Sequence, residues 1–451
     1  MPTFVRSRPT GLVGVSGACV ALALAQASAG AAEPSGLELR ELVEQNRRLQ
    51  EQVRAQQKTI DEMSARMAEV LKASERHDRE LRSLQDRPGV GPASTSLPVA
   101  RRDQEVRISA EAGLAFFNTG REGQFPKAEF RVDDPVISVE APVGKNVYLF
   151  AELKLLTRET NVENFQLGEL YVDFEDVSAA WGRSGQLGFR AGRLNVPFGE
   201  EYQLRGPIAN PLISRSLSDI WGVDEGVEIY GKIGPARYVV AVQNGGVSRL
   251  RDFNADKSVA ARVGWEPAPW LHVSGSAMRT GELATVGDNL SELWFANAFF
   301  RALGPAASTG KYWVNLFEGD ATARWKDGHV SAALGQARFD DSDTRADNSR
   351  RIRYGYLEMV QGMADRLYGA ARYSEIRAPR GYPLAGWGQM GMFFFRPSLT
   401  EELRRFSLGL GYRFGPSLVL KTEYTWENGR MTNGARRERE DFFGSEIGVK
   451  F

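Results

Sequence analysis

Cysteine and histidine are almost absent from this chain of 451 residues, which contains one Cys and three His. The single cysteine, Cys19, falls in an N-terminal segment that has the pattern of a targeting peptide, so we expect no disulfide, thiolate metal site or cysteine nucleophile in the mature chain. His77, His272 and His329 are far apart and have no metal-ligand spacing. No phosphate-binding loop and no zinc-protease or serine-hydrolase motif occurs. We therefore expect no enzyme activity, no cofactor and no metal site.

The chain also lacks an excess of charge and long apolar runs. It has 57 basic and 57 acidic residues, a formal net charge of zero, so it carries no electrostatic footprint for nucleic acid. Hydrophobic residues make up 42% and the mean hydropathy is −0.35, which argues against membrane-spanning helices. Membrane-spanning strands remain compatible with these values, because every second residue of such a strand faces a polar interior.

The first residues have the pattern of a secretory signal peptide. Arg6 and Arg8 precede an apolar stretch, and Ala27-Ser28-Ala29 is a small-residue cleavage site. We expect a signal peptide over residues 1–29, with cleavage after Ala32 as the second choice.

A seven-residue repeat occupies residues 37–86, which contain no proline or glycine. Apolar residues dominate two seam positions, one running from Leu39 to Leu81 and the other from Leu42 to Leu84. This spacing predicts a left-handed coiled coil that needs partner helices. We expect a periplasmic oligomerisation helix over 37–86, followed by a flexible linker rich in Pro, Gly and Ser over 87–104.

From residue 105 to residue 451 the period changes to two. In the last strand, Phe443, Ile447, Val449 and Phe451 alternate with small or polar residues, and many segments of about ten residues follow the same rule. Aromatic residues cluster at segment ends, as in the belts at membrane interfaces. The pattern predicts an all-β transmembrane antiparallel barrel over 105–451, with sixteen strands, or eighteen as the second choice.

Connections of two lengths separate these segments. Short joints with Gly or Pro are expected as periplasmic turns at 234–235, 266–269, 326–328 and 415–416. Longer polar stretches are expected as outer loops at 196–222, 245–256, 281–291, 340–350, 377–404 and 428–440. The outer loop at 340–350 carries four aspartates, which are more simply explained as exposed loop residues than as a cation site.

The segment from Gly192 to Gly234 is the most distinctive. It joins Gly192-Arg193-Leu194-Asn195-Val196-Pro197-Phe198-Gly199 to Gly226-Val227-Glu228-Ile229-Tyr230-Gly231 through a long irregular stretch, and loops of this length are usually functional. The motif resembles the outer-membrane porins of the phosphate-selective O/P type. That resemblance implies a trimeric sixteen-stranded barrel in the outer membrane of a Gram-negative bacterium, with inward-folded loops that narrow the channel.

The resemblance, taken with the alternation, marks a set of candidate pore-lining or constriction residues. They are Lys154, Arg190, Arg193, Arg205, Arg215, Glu228, Lys232, Arg262, Arg372, Arg413 and Lys421. Arginine and lysine in a pore favour anions. Acidic residues are about as common on the same strands, so cross-strand ion pairing competes with a role in selectivity.

Three functions remain open from the sequence. The first is passive diffusion of small hydrophilic solutes or ions, including anions such as phosphate, through a trimer surrounded by outer-membrane lipid. The second is a structural anchor whose coiled coil tethers the membrane to the cell wall or to a partner. The third, an outer-membrane enzyme or an energised receptor, lacks a catalytic constellation or a plug domain in the sequence.

Overall fold

The computed structural model describes residues 105–156, 164–220, 222–245, 256–284, 310–341, 343, 348–393 and 399–451. The predicted signal peptide, the coiled coil at 37–86 and the linker at 87–104 lie outside the described residues. Within the described ranges, no helix has both the length and the apolar character needed to cross a membrane.

One antiparallel sheet contains every strand in the described part of the chain. Its sixteen long strands are β1 (Arg107–Thr119), β2 (Glu129–Gly144), β3 (Val147–Leu156), β4 (Asn164–Phe174), β5 (Gly188–Asn195), β6 (Val223–Ile233), β7 (Ala236–Gln243), β8 (Ser258–Ala268), β9 (Leu271–Arg279), β11 (Lys311–Trp325), β12 (Gly328–Asp341), β13 (Arg350–Gly362), β14 (Leu367–Tyr382), β15 (Thr400–Gly415), β16 (Leu418–Met431) and β18 (Phe442–Lys450). Two further strands of two residues each, β10 (Leu283–Ala284) and β17 (Arg436–Arg437), pair with the ends of β11 and β16.

The sheet closes on itself. Each long strand pairs with its neighbour in sequence, and β18 pairs with β1 from Glu111 opposite Lys450 to Thr119 opposite Phe442. The closed ring of long strands has no free edge, so each of the sixteen long strands finds hydrogen-bond partners on both sides. The predicted antiparallel barrel of sixteen strands is confirmed.

The two faces of the wall differ as the period of two predicts. On β16, Leu420, Tyr424 and Trp426 are about 40% exposed on the outside, while Lys421 and Glu423 are 2% exposed inside. The same alternation continues through β18 to the last residue. The outer face is therefore apolar and the inner face is charged.

The connections follow the expected division into short and long, with two corrections. Turns occur at 234–235 and 326–327 as predicted, but Glu266 to Ala268 belong to β8, so that joint is reduced to Pro269 and Trp270. β14 extends to Tyr382 into the predicted loop 377–404, because Ala378 and Tyr382 continue the buried inner face of the strand. β15 begins at Thr400, and the described part of the connection, 383–393, ends in a single helical turn at Met390–Phe393.

Candidate pore and the loop folded into it

The segment from Val196 to Gly222, here called the inner loop, turns into the barrel between β5 and β6. Its neck is closed by a hydrogen bond from the Val196 N–H to the Gly222 carbonyl oxygen at 2.7 Å. Gly199 has φ +71°, and a Cβ there would come within 2.5 Å of Oε1 of Glu318 on β11. Only glycine fits this turn without strain or a clash.

The first part of the inner loop is held by β8 and β9. Arg262 donates from Nη1 to the Gly199 carbonyl oxygen at 2.5 Å, and the Gly199 N–H donates to Oγ of Ser276 at 3.0 Å. Oε1 of Glu200 lies 3.5 Å from Nε of Arg262 and 3.3 Å from Nε2 of His272. Burial alone would raise the pKa of Glu200, but the contacts with His272 and Arg262 outweigh it and lower that pKa below its usual value.

The centre of the inner loop binds charged side chains of β16. The N–H groups of Ile213 and Ser214 donate to Oε2 of Glu423 at 2.6 and 2.7 Å. Lys421 donates from Nζ to the carbonyl oxygen of Leu212 at 3.0 Å. A loop without regular structure has unpaired backbone groups, and here the wall supplies their partners.

Arg372 on β14 extends this attachment. It donates from Nε to Glu358 at 2.8 Å, from Nη1 to the Ser214 carbonyl oxygen at 2.8 Å and from Nη2 to Oδ1 of Asn210 at 3.0 Å. Arg405 donates to the carbonyl oxygen of Arg215 at 2.7 Å. Since both guanidinium groups also pair with carboxylates of the wall, they join the loop to the barrel through charge-assisted hydrogen bonds.

Further contacts of the inner loop reach β1, β2 and β15. The Ile208 N–H donates to Glu111 on β1 at 2.7 Å, and Arg413 on β15 donates to the Ile208 carbonyl oxygen at 3.3 Å. Arg215 pairs with Asp134 on β2. Arg205 pairs with Asp219 inside the loop.

Burial divides the inner wall into a covered part and an accessible strip. The side chains of Lys421 and Glu446, at 2% and 1%, lie behind the inner loop. By contrast, the side chain of Arg190 on β5 is 31% exposed. The inner loop therefore contacts most strands from β8 round to β2. On β3 and β5 the side chains of Lys154 and Arg190 keep 18% and 31% of their exposure, while Asp173 and Glu228 beside Arg190 are buried.

Arg190 is at the centre of that accessible strip. It pairs with Asp173 on β4 at 3.0 Å and with Glu228 on β6 at 3.1 Å, and it lies over the rings of Tyr171 and Tyr230 at 5.2 and 4.4 Å. The three charged residues are direct cross-strand neighbours in the register. On β3, at the edge of the strip, Lys154 pairs with Glu152 at 2.8 Å.

Besides the six sequence-predicted residues that lie in or against the inner loop, two others, Arg193 and Lys232, lie away from this strip. Arg193 is three residues from Arg190 and so lies on the opposite, outer face of β5, where it pairs with Glu225 at 2.7 Å and donates to the Gly168 carbonyl oxygen at 3.1 Å. The prediction that Arg193 is a pore-lining or constriction residue is corrected by this alternation. Lys232 is exposed at the end of β6, next to the turn at 234–235.

Glu201 is a titratable group of the inner loop that the sequence did not single out. It accepts a hydrogen bond from the Ser216 N–H at 2.8 Å. Burial, with a further contribution from the nearby charge of Asp219, raises the pKa of Glu201 from 4.5 to about 7, although Arg372 opposes the shift.

A second segment folded into the barrel, 383–393, was also missed. Trp387 stacks on Phe442 with ring centroids 4.0 Å apart and packs with Phe117 and Phe125. Arg437, fully buried, donates to the Leu384 carbonyl oxygen at 2.5 Å. The tryptophan in a stretch predicted as a polar outer loop was the available signal, because an exposed loop rarely needs a large ring.

No cluster of His, Cys, Asp or Glu suited to a metal ion occurs among the residues that the structure describes. Asp341 lies at the end of β12 and accepts a hydrogen bond from Nδ2 of Asn348 at 3.0 Å. The carboxylate thus has a partner within its own loop.

Comparison with known proteins shows a fold and no family. No family model matches the chain, and no curated protein matches it. Among solved structures, the chain is similar to the outer membrane channel DcaP of Acinetobacter baumannii, with 11% identity, a TM-score of 0.52, and coverage of 77% of this chain and 97% of that chain. Salmonella typhi OmpF in complex with daunomycin (10% identity, TM-score 0.49, 77% and 97% covered) and the anion-selective porin from Comamonas acidovorans (10%, 0.47, 77% and 98%) are also similar. The likeness to DcaP shows that the described residues have the fold of an outer-membrane channel protein.

Proposed function

We propose that this protein is an outer-membrane porin of a Gram-negative bacterium that lets small hydrophilic solutes or ions diffuse passively. One observation carries the proposal. The inner loop contacts most strands from β8 round to β2, and on β3 and β5 the charged side chains of Lys154 and Arg190 keep part of their exposure. A barrel filled on all sides would serve as an anchor, whereas an eccentric charged strip suits a water-filled path.

The outer face supports the membrane part of the proposal. Leu334, Phe317 and Leu357 are 75%, 59% and 55% exposed on a wall that would otherwise present them to water. Apolar area of this extent is stable when lipid covers it. The long loops at one rim and short turns at the other give the usual orientation, with the turns and the C-terminus on the periplasmic side.

The solute class is a finer proposal. Arg190 is more exposed than Lys154, at 31% against 18%, and a guanidinium binds phosphate or carboxylate through two parallel hydrogen bonds. Asp173 and Glu228 already occupy that guanidinium. An anion, phosphate included, therefore has to compete with them, and we propose a weak preference for anions with Arg190 as its contact. Membership of the phosphate-selective O/P type rests on the motif between Gly192 and Gly231.

The assembly is likewise proposed from the sequence. We propose a signal peptide over 1–29, a periplasmic coiled coil over 37–86, a linker over 87–104 and a barrel over 105–451, assembled as a trimer. Cross-linking of the full chain and of a variant lacking 37–86 tests this. Retention of the monomer in both proteins contradicts the trimer.

Planar-bilayer recording of the purified full chain tests the channel. We expect discrete conductance steps, and larger steps when residues 203–219 are replaced by a short Gly-Ser linker, because that variant lacks the part of the inner loop that fills the barrel. The reversal potential in a salt gradient reports the sign of the preferred ion. A sealed wild-type barrel refutes the proposal and favours the anchor.

A further inference from the structure

The outer face of β8, β9 and β11 to β13 carries a groove at the middle of these strands, and Arg353 lies at its end nearer the long-loop rim. It has a volume of about 710 Å³ and is lined by Val263, Gly275, Phe317, Leu334 and Arg353 among others. Binding sites for small molecules have volumes of the same order. The groove lies on the apolar face, so its walls are mostly apolar, with Gln336 and Arg353 as polar side chains of the outer face at its upper end.

Two glycines form the floor of this groove. Gly275 and Gly319 are direct cross-strand neighbours, flanked by Val263 on β8 and Leu334 on β12. Neither has a positive φ, and a Cβ at either position would meet only one backbone oxygen, 4.0 or 3.9 Å away. Neither the backbone nor internal packing therefore requires glycine here. Glycine weakens a strand and often marks a place where a ligand or another backbone approaches closely.

A row of basic side chains crosses the outer face above this floor. Arg279, Asn315, Arg338 and Arg351 are successive cross-strand neighbours on β9, β11, β12 and β13, and Arg353 follows one step nearer the groove, opposite Gln336. All four arginines are exposed. The one acidic partner within the described part of this patch is Asp340, 3.5 Å from Arg338, so four positive charges face one negative charge.

On the neighbouring part of the outer face, arginine side chains are neutralised by glutamates of the same wall. At the same level on β14 to β16, Arg377 and Arg404 lie 3.2 and 2.5 Å from Glu402, and Arg430 lies 3.2 Å from Glu401. On β12 and β13, by contrast, Arg338 and Arg351 stand directly opposite each other, an arrangement that destabilises a sheet unless an anion neutralises it.

We propose that this surface binds a phosphorylated, multiply acylated glycolipid of the outer leaflet, with its phosphates on Arg338, Arg351 and Arg353 and one acyl chain on the Gly275–Gly319 floor. Charge complementarity identifies the headgroup, because arginine forms bidentate charge-assisted hydrogen bonds with phosphate. The apolar floor directly below identifies the acyl chain. The arginine row lies near the ends of β9, β12 and β13 that lead into the long loops, and that position identifies the outer leaflet. The inference rests on the outer-membrane location proposed above but not on an open channel, so the two proposals fail in different assays.

Titration of the full mature chain in detergent, followed by native mass spectrometry, tests the site. The probes are diphosphoryl lipid A, the same lipid without phosphates, and phosphatidylglycerol. We expect diphosphoryl lipid A to bind at least about tenfold more tightly than either other probe, and Arg351→Gln/Arg353→Gln to remove at least about tenfold of that affinity. Arg404→Gln/Arg430→Gln is the matched control, since it removes two positive charges from the same rim, and we expect a change of less than about twofold.

A groove-filling variant tests the floor. Gly275→Leu/Gly319→Leu projects side chains into open space on the outer face, and we expect it to weaken lipid A binding at least about fivefold. Gly319→Ala adds only one carbon and should give a smaller loss of affinity. It serves as the test if the double variant fails to assemble. The proposal is overturned if the two arginine double variants lose the same amount of affinity for diphosphoryl lipid A. It is also overturned if phosphatidylglycerol binds as tightly as diphosphoryl lipid A. A filled groove that dissociates the oligomer without changing lipid binding also overturns it, because the surface is then an interface between copies of the chain.

Discussion

Glu423 offers the sharpest test of how the inner loop is held. Its side chain is 2% exposed, and Oε2 accepts hydrogen bonds from two backbone N–H groups of the loop, those of Ile213 and Ser214. We expect Glu423→Gln to loosen the centre of the loop, because the amide retains only one oxygen and has no charge. The substitution keeps the shape of the side chain, so the change in volume is small.

The size of the effect follows from these two bonds. A hydrogen bond to a charged group contributes about 1.5–3 kcal/mol, and one between neutral groups about 0.5–1.5 kcal/mol. The substitution therefore costs about 1–1.5 kcal/mol for each bond, or about 2–3 kcal/mol for both. Since each 1.4 kcal/mol is a factor of ten, the population with a detached loop rises roughly 30- to 140-fold.

Two assays measure that population. In bilayers, the fraction of time in a higher-conductance state should rise by the factor above. In solution, a thiol at Leu212→Cys, at a position that is 1% exposed, should be labelled faster by the same factor when Glu423→Gln is added. The expected absence of cysteine from the mature chain makes this label specific.

The control is Glu401→Gln, which removes one carboxylate charge from the exposed outer rim and makes no contact with the loop. It should leave the conductance and the labelling rate unchanged. If Glu423→Gln behaves like this control in both assays, the loop is not held by these bonds and our account of the accessible strip is wrong.

Three further predictions concern other residues of the pore. The pKa of Glu201 is raised to about 7, so between pH 4.5 and 7 the attached loop holds a proton that the carboxyl group would release in the unfolded chain. Loop attachment should therefore weaken as the pH rises from about 4.5 to 7 and should change no further above pH 7. Glu201→Gln should remove this pH dependence of the conductance. Arg190→Gln leaves Asp173 and Glu228 without their shared cation, so the reversal potential should shift towards cation preference, while Arg190→Lys keeps the wild-type sign; an unshifted potential removes Arg190 from the ion path. Gly199→Ala should lower the free energy of unfolding of the barrel by about 2–4 kcal/mol, because it combines a strained φ with the clash with Glu318; the denaturant midpoint measures this loss. The control is Gly182→Ala, at a position with a similar φ but open space around it, which should cost only about 1 kcal/mol.

The barrel could be predicted because each strand carries its own evidence. A period of two assigns every side chain of β16 or β18 to one face, and this local rule does not depend on which strands are neighbours. The inner loop was also recognisable, from its length and its irregular composition between two strand patterns. The same alternation also places Arg193 outside, since three residues separate it from Arg190; its prediction as a pore-lining or constriction residue gave the wrong side.

What the sequence could not supply is the wall against which the inner loop lies. Lys421, Glu423 and Arg372 have the pattern of side chains wetting a polar lumen, and alternation alone leaves them there. Their partners are backbone groups of Leu212 to Ser214, more than 150 residues away in the chain. Contacts of that range depend on the height of each residue in the barrel and on the path of the loop, which no local pattern encodes. The Trp387 segment was missed for the same reason.

The two ends of the inner loop differ in chemistry from its centre, and this difference determines how the pore behaves. Val196, Phe198, Leu217 and Ile220 join a buried apolar cluster with the inner faces of β8 to β15, while the centre of the loop is held by buried charges. The apolar packing at the ends does not depend on protonation, although the contacts of Glu200 with Arg262 and His272 at the first end do; the bonds of the centre depend on the protonation and pairing of their carboxylates throughout. The loop is therefore a fixed part of the wall at its ends and an adjustable one at its centre. Solute passage should respond to changes at Glu423, Arg372 and Glu201 and should tolerate conservative apolar exchanges at the ends of the loop.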